Sequence, residues 1–148
     1  MCAEKQRGMY DMSLQSDLAA VEAKISHYND ILRKLYDYQG KLNTEDGNLN
    51  NEYDPPESYD LTGGSDWNGA KEQVAEEMRT QINSSFSSYD GEVGQLKQDI
   101  VNAIANIQSM IAAAESEAGR IREAIAEEER RAREEAERRA REEGDNDE

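Results

Sequence analysis

Apolar residues recur at steps of four and three along the first third of the chain: Leu14, Leu18, Val21, Ile25, Tyr28, Leu32, Leu35 and Leu42, with Gln39 in the one vacant slot. Such spacing lines up one stripe on a helix, the heptad signature of coiled-coil packing. Asp11 or Ser13 can cap its start, which predicts a helix over 11–43 after a lead-in at 1–10. The stripe then stops. Residues 44–66 are rich in glycine, asparagine and aspartate and contain Pro55-Pro56 and Gly63-Gly64, so they read as a long polar loop.

A second stripe follows, through Val74, Met78, Ile82, Phe86, Tyr89, Val93, Leu96, Ile100, Ala103, Ile107 and Met110. It resumes one residue out of phase at Ala114, Ala118, Ile121 and Ile125, in the manner of a stutter. This predicts a second helix within 67–125. Gly91 and Gly94 lie inside it, and each should cost about 1 kcal/mol against alanine, which predicts a kink or a close backbone contact there. From 126 to 148 the apolar stripe gives way to glutamate, arginine and alanine. Glu127–Arg131, Glu129–Arg133, Glu134–Arg138, Glu135–Arg139 and Glu137–Arg141 all set glutamate four residues before arginine, the favourable orientation on a helix. The expected fold is all-α: two long antiparallel helices forming a coiled-coil-like hairpin, a long polar loop between them, and a charged helical extension that frays at its end.

Helix lengths then become informative. At about 1.5 Å per residue the first helix spans about 50 Å and can face only about residues 70–105 of its partner. Ile107, Met110, Ile111, Ile121 and Ile125 would be left over, and exposed isoleucine ridges mark interfaces. Two helices alone also make a thin core. A partner-binding seam is therefore expected on Leu14, Leu18, Val21, Ile25, Leu32 and Leu35 of the first helix. On the second it would comprise Ile100, Ile104, Ile107, Ile111, Ile121 and Ile125.

Charge narrows the choice of partner. A formal net charge of −16 opposes nucleic acid and anionic membrane surfaces. The apolar run from Ile100 to Ala114 is broken by Asn102, Asn106, Gln108 and Ser109, so membrane insertion is not expected, and no signal-peptide pattern opens the chain. Cys2 is the sole cysteine and His27 the sole histidine, which leaves no nucleophile–base pair and no structural zinc set. The carboxylates fall on hydrated helix faces, where nothing raises a pKa for acid catalysis. Neither an enzyme nor a cofactor is expected. The alternation of Asp46, Asn48, Asn50, Glu52, Asp54 and Glu57 resembles a calcium loop, but Asn51 stands where glycine is needed and Pro55-Pro56 obstruct the exit helix, so a polar linker is the preferred reading.

Trp67-Asn68-Gly69 closes the loop and opens the second helix. A Trp-x-Gly between two amphipathic helices in a small acidic chain resembles the WXG superfamily, the helical hairpins of type VII secretion in Gram-positive bacteria. The closest likeness, over about residues 12 to 125, is to the small helical companions of LXG toxins. That resemblance implies binding to the helical N-terminal region of an LXG toxin, with a second small helical companion as a further partner and indirect presentation to the secretion ATPase. It implies the bacterial cytoplasm as location, with co-export alongside the cargo as the other option. Such systems also use an aromatic-x-x-x-acid export signal, which Phe86-Ser87-Ser88-Tyr89-Asp90 fits. Phe86 as a seam residue beside a solvated Asp90 is the preferred reading, and Tyr53 to Glu57 matches the same cheap pattern. The alternative to the whole reading is a self-associating coiled-coil scaffold unconnected with secretion.

Overall fold

The computed structural model describes the backbone over 2–55 and 69–145, and side chains over 12–55 and 71–144. Two helices account for nearly all of it: α1, Cys2–Glu52, and α2, Gly69–Asp145. No strand occurs among the described residues. The helices pack on each other, so the protein is an all-α helical hairpin.

α1 outruns the sequence expectation at both ends, whereas α2 with its charged extension stays within the expected range. The lead-in expected at 1–10 is helical from Cys2, and the first part of the loop expected at 44–66 is helical as far as Glu52. Side chains that favour turns here serve the helix instead. Thr44 Oγ1 donates to the Gly40 carbonyl at 3.0 Å, and Asn50 Nδ2 donates to the Asp46 carbonyl at 2.9 Å and to Asp46 Oδ1 at 3.1 Å. Each bond turns a polar side chain back on its own helix, where it no longer competes for the backbone. The helix stops before Asp54-Pro55, because proline pushes the preceding residue out of the α region. One last turn survives in the Tyr53 N–H to Leu49 carbonyl bond of 2.8 Å.

α2 begins with Glu72 in its first turn, a charge that suits the positive end of the helix dipole. It then runs without a break through Gly91 and Gly94. A Cβ built on either glycine meets nothing within 4 Å, so the close backbone contact expected there is absent. The glutamate–arginine tail continues the same helix to Asp145 and carries ion pairs from Glu127 to Arg131, Glu129 to Arg133 and Glu135 to Arg139.

The chain divides into two compact units, one made of Met1–Arg33 with Asn106–Glu148 and the other of Lys34–Ala105. In the first, the terminal unit, the core is Val21, Ala114 and Ala118, flanked by Leu18, Ile25 and Ile121. Ala118 is completely buried. Glu22 and Arg122 close over this seam with a 2.8 Å ion pair. In the second, the central unit, Val93 and Ile104 are the buried apolar residues among those described, and polar and aromatic contacts also join the helices.

The expected pairing of α1 with residues 70–105 needs correction. Val21 meets Ala114 and Ala118, and Glu22 reaches Arg122, so α1 extends its cover far beyond residue 105. Val21 and Glu22 lie within the expected helix 11–43, so the difference is one of register: Tyr53, just past the end of α1, meets Phe86 and not the first turns of α2. Ile121 packs on the terminal core, and Ile107, Ile111 and Ile125 are half-buried, so those isoleucines are not a free ridge; Met110 alone of the expected set is exposed, at 43%.

Candidate functional site

The end of α1 is fastened to α2 by three unlike contacts in the central unit. The Tyr53 ring stacks on Phe86 with centroids 3.7 Å apart and planes 5° from parallel. Its hydroxyl donates to Asn83 Oδ1 at 3.0 Å. Two turns back, Asp46 receives the Lys97 ammonium while also holding Asn50, and its side chain is only 13% exposed. The carboxylate is thus satisfied from both sides, which is what makes a half-buried charge tolerable.

Beyond Tyr53, α2 projects its seam residues to solvent. Val74, Met78 and Ile82 retain 51%, 59% and 50% of their surface, which places the unpartnered apolar residues at the start of α2 and not at its end. Tyr89 and Leu96 are likewise about half exposed, at 46% and 49%. Ile82, Tyr89 and Leu96 stand seven residues apart, and each lies four residues before a member of the inner series Phe86, Val93 and Ile100. α2 therefore carries two neighbouring heptad stripes: one is turned to α1, and the other stays open.

Next to the open stripe lies a groove of about 480 Å³ whose walls are Leu35, Tyr38 and Leu42 from α1 and Leu96 and Ile100 from α2, with Lys41 and Glu45 along the α1 edge. Tyr38 is 58% exposed. Lys41 is held by Asp37 at 2.8 Å, and the hydrogen bond to that carboxylate raises its pKa above 10.5. On the α2 edge stand Glu92 and Asp99, both exposed, with Gln95 Nε2 donating to Asp99 Oδ1 at 2.9 Å.

The residues singled out from sequence fall as follows. Trp67 lies outside the described residues, and Gly69 is the first residue of α2. Phe86 is half-buried in the stack with Tyr53, whereas Asp90 is exposed one turn on. The twelve seam positions expected to bind a partner are instead buried or half-buried within the chain. Val21 and Ile104 are the most enclosed, and Leu14, Leu18, Ile25, Leu32, Leu35, Ile100, Ile107, Ile111, Ile121 and Ile125 are intermediate. The hairpin uses the strongest stripe for itself, so these positions are covered, fully or in part, within the chain. Ile82, Tyr89 and Leu96 on α2, with Tyr38 on α1, are the informative exposed positions, and spacing alone did not separate the three on α2 from their covered neighbours.

The calcium-loop arrangement does not form over 46–52, which is helical, and Glu57 lies outside the described residues. Among the described residues no cluster of three metal-ligating side chains occurs. His27 is exposed, with its ring 6.3 Å from that of Tyr28. No described helix is long and apolar enough to cross a membrane. No protein-family model matches the chain, and neither a curated protein nor a solved structure matches it.

Proposed function

We propose that the chain is a companion protein of type VII secretion: it binds the helical N-terminal region of an LXG toxin and helps present that toxin to the secretion ATPase. The observation that supports the reading is the open heptad stripe Ile82, Tyr89 and Leu96 on a hairpin whose own seam is already filled. Exposed apolar residues in helical register are what a hairpin needs to accept further helices. The sequence adds the Trp67-x-Gly69 element and an acidic surface of net charge −16. On this reading the protein binds and does not catalyse. It works in the bacterial cytoplasm or leaves together with its cargo.

Affinity purification from the native host, followed by mass spectrometry, tests it. The expected result is a larger protein with a helical N-terminal region, accompanied by a second small helical protein. Recovery of the bait alone as a stable oligomer would overturn the reading in favour of a self-associating scaffold. Trp67→Ala should reduce both toxin capture and toxin export; unchanged values for both would also count against it.

A further inference from the structure

We infer that the groove of the central unit seats one amphipathic helix from another protein, with an apolar heptad seam and lysine or arginine on the flank that lies against α2. This deepens the companion reading and rests on it for the existence of a partner helix.

The form of the ligand follows from the form of the surface. Ile82, Tyr89 and Leu96 repeat every seven residues and stay half exposed, and the groove beside Leu96 runs between two helices lined by Leu35, Tyr38, Leu42 and Ile100. A heptad of exposed knobs whose last member, Leu96, enters the groove matches a third helix laid alongside the first two. From Ile82 to Leu96 the stripe covers about 21 Å of helix, so a partner segment of about three heptads would cover it with a turn to spare at each end.

The flanking charges select the occupant. Around Leu96, the residues at −3 and +4, Val93 and Ile100, turn toward α1, while those at −4 and +3, Glu92 and Asp99, border the outer side. Neither acid is in an ion pair among the described residues; Asp99 has only the neutral Gln95. Along the α1 edge the two charged residues that line the groove, Lys41 and Glu45, are of opposite sign, and Asp37 holds Lys41. The rim is therefore acidic on one side and neutral on the other. A second copy would bring the same acidic rim and another −16 of net charge to the contact. A helix with a basic flank meets Glu92 and Asp99 with opposite charge, and like-charged competitors are rejected.

The test uses the full chain and synthetic helical peptides of about three heptads. One carries leucine and isoleucine on the seam with lysine flanks, a second has the same seam with glutamate flanks, and a third keeps the lysines but scrambles the seam. Calorimetric titration should show the lysine-flanked amphipathic peptide binding at least about tenfold tighter than either control, with the gap to the glutamate-flanked peptide, but not the gap to the scrambled one, shrinking as salt rises. Leu96→Ser with Tyr89→Ser should remove that preference while circular dichroism stays unchanged. Glu92→Gln with Asp99→Asn, which leaves the apolar walls intact, should narrow the gap between lysine- and glutamate-flanked peptides to about twofold or less.

Equal binding of the scrambled peptide, or full binding by both double variants, would overturn the inference. A wild-type chain that dimerises through this groove, with dimers lost in the Leu96→Ser/Tyr89→Ser variant, would overturn it in favour of a second copy. The two readings separate cleanly. If that variant still captures the toxin from the native host, the groove assignment fails and the companion reading survives. If the peptides behave as expected but the native host yields no toxin, the companion reading fails and the groove stands.

Discussion

The terminal and central units are built from the same two helices, yet they close in different ways. In the terminal unit the seam is made of small residues, Ala114 and Ala118 against Val21, so the helices approach closely and Ala118 loses all contact with solvent. In the central unit the bulkier Tyr53 and Phe86 stack, and Asp46 with Lys97 spans the helices. Nine of the eleven large apolar side chains that are exposed among the described residues belong to the central unit; only Met12 and Met110 belong to the terminal one. A small-residue seam consumes its apolar surface. A seam held by rings and charges leaves a second stripe over, and that surplus is where binding can be sought.

The sharpest way to break this contrast is to overfill the terminal seam. Ala118→Leu adds a branched side chain where no space exists, and it should destabilise the protein by about 3 kcal/mol. Leu96→Ser, on the open stripe, should stay within about 0.5 kcal/mol of wild type. Thermal melts followed by circular dichroism read both. If the two variants melt together, the closed and open seams are not distinct. Phe86→Ala comes next. It removes a half-buried ring and its stacking partner's contact, for a loss of about 2 kcal/mol, and Tyr53→Phe should lose only about 1 kcal/mol with the Asn83 hydrogen bond. A Tyr53→Phe loss equal to that of Phe86→Ala would mean the hydroxyl, not the stack, fastens the end of α1.

The heptads made the helical hairpin legible, because a stripe at steps of three and four admits one interpretation. Helix ends were not legible. Thr44 and Asn50 are turn formers by composition, and only the finished helix offers them the carbonyls at Gly40 and Asp46 that satisfy them. The register was misjudged at the other end: the expected hairpin set the end of α1 against the start of α2, whereas Tyr53 meets Phe86, and Ile121, left over in that scheme, packs on the Val21 cluster. The site suffered from a related bias. The strongest stripe, Leu14 through Leu35, drew attention as an interface although a hairpin must bury it. Ile82, Tyr89 and Leu96 read from their spacing as members of the same stripe as Phe86, Val93 and Ile100, and only their exposure in the folded chain sets them apart. The Asp46–Lys97 bridge had no sequence signal at all, since its partners lie in different helices and nothing in their spacing links them.

That bridge and its counterpart in the terminal unit give a smaller test of the same contrast. Asp46 and Lys97 are 13% and 36% exposed, and Asn50 supplies a further hydrogen bond. Glu22 and Arg122 meet at 2.8 Å but remain 49% and 56% exposed, so water and salt screen them. Double-mutant cycles to alanine should give a coupling of about 1 kcal/mol for the first pair and about 0.3 kcal/mol for the second. Salt at 1 M should erase the smaller value and leave most of the larger. A stronger coupling for Glu22–Arg122 would show that the terminal unit, too, depends on its charges.

The smallest effect concerns pairs that lie within a single helix, one in each unit. Glu127 accepts hydrogen bonds from Arg130 and Arg131, which hold its carboxyl below the ordinary 4.5. A depressed carboxylate contributes stability that is present above its unfolded pKa and is lost as pH falls through the folded one. Lys41 in the central unit is the mirror case. The Asp37 hydrogen bond raises it above 10.5, so its contribution is present below that value and disappears as pH rises through the raised one. Both groups are exposed, and neither should move the melting temperature noticeably. Carbon-detected NMR titration is the suitable measurement. The Glu127 carboxyl should titrate below 4.5 and return to about 4.5 in an Arg130→Ala, Arg131→Ala variant. A wild-type midpoint at or above 4.5 would mean that the arginines of the tail do not hold Glu127, and that this stretch of α2 owes its helix to alanine and glutamate propensity alone.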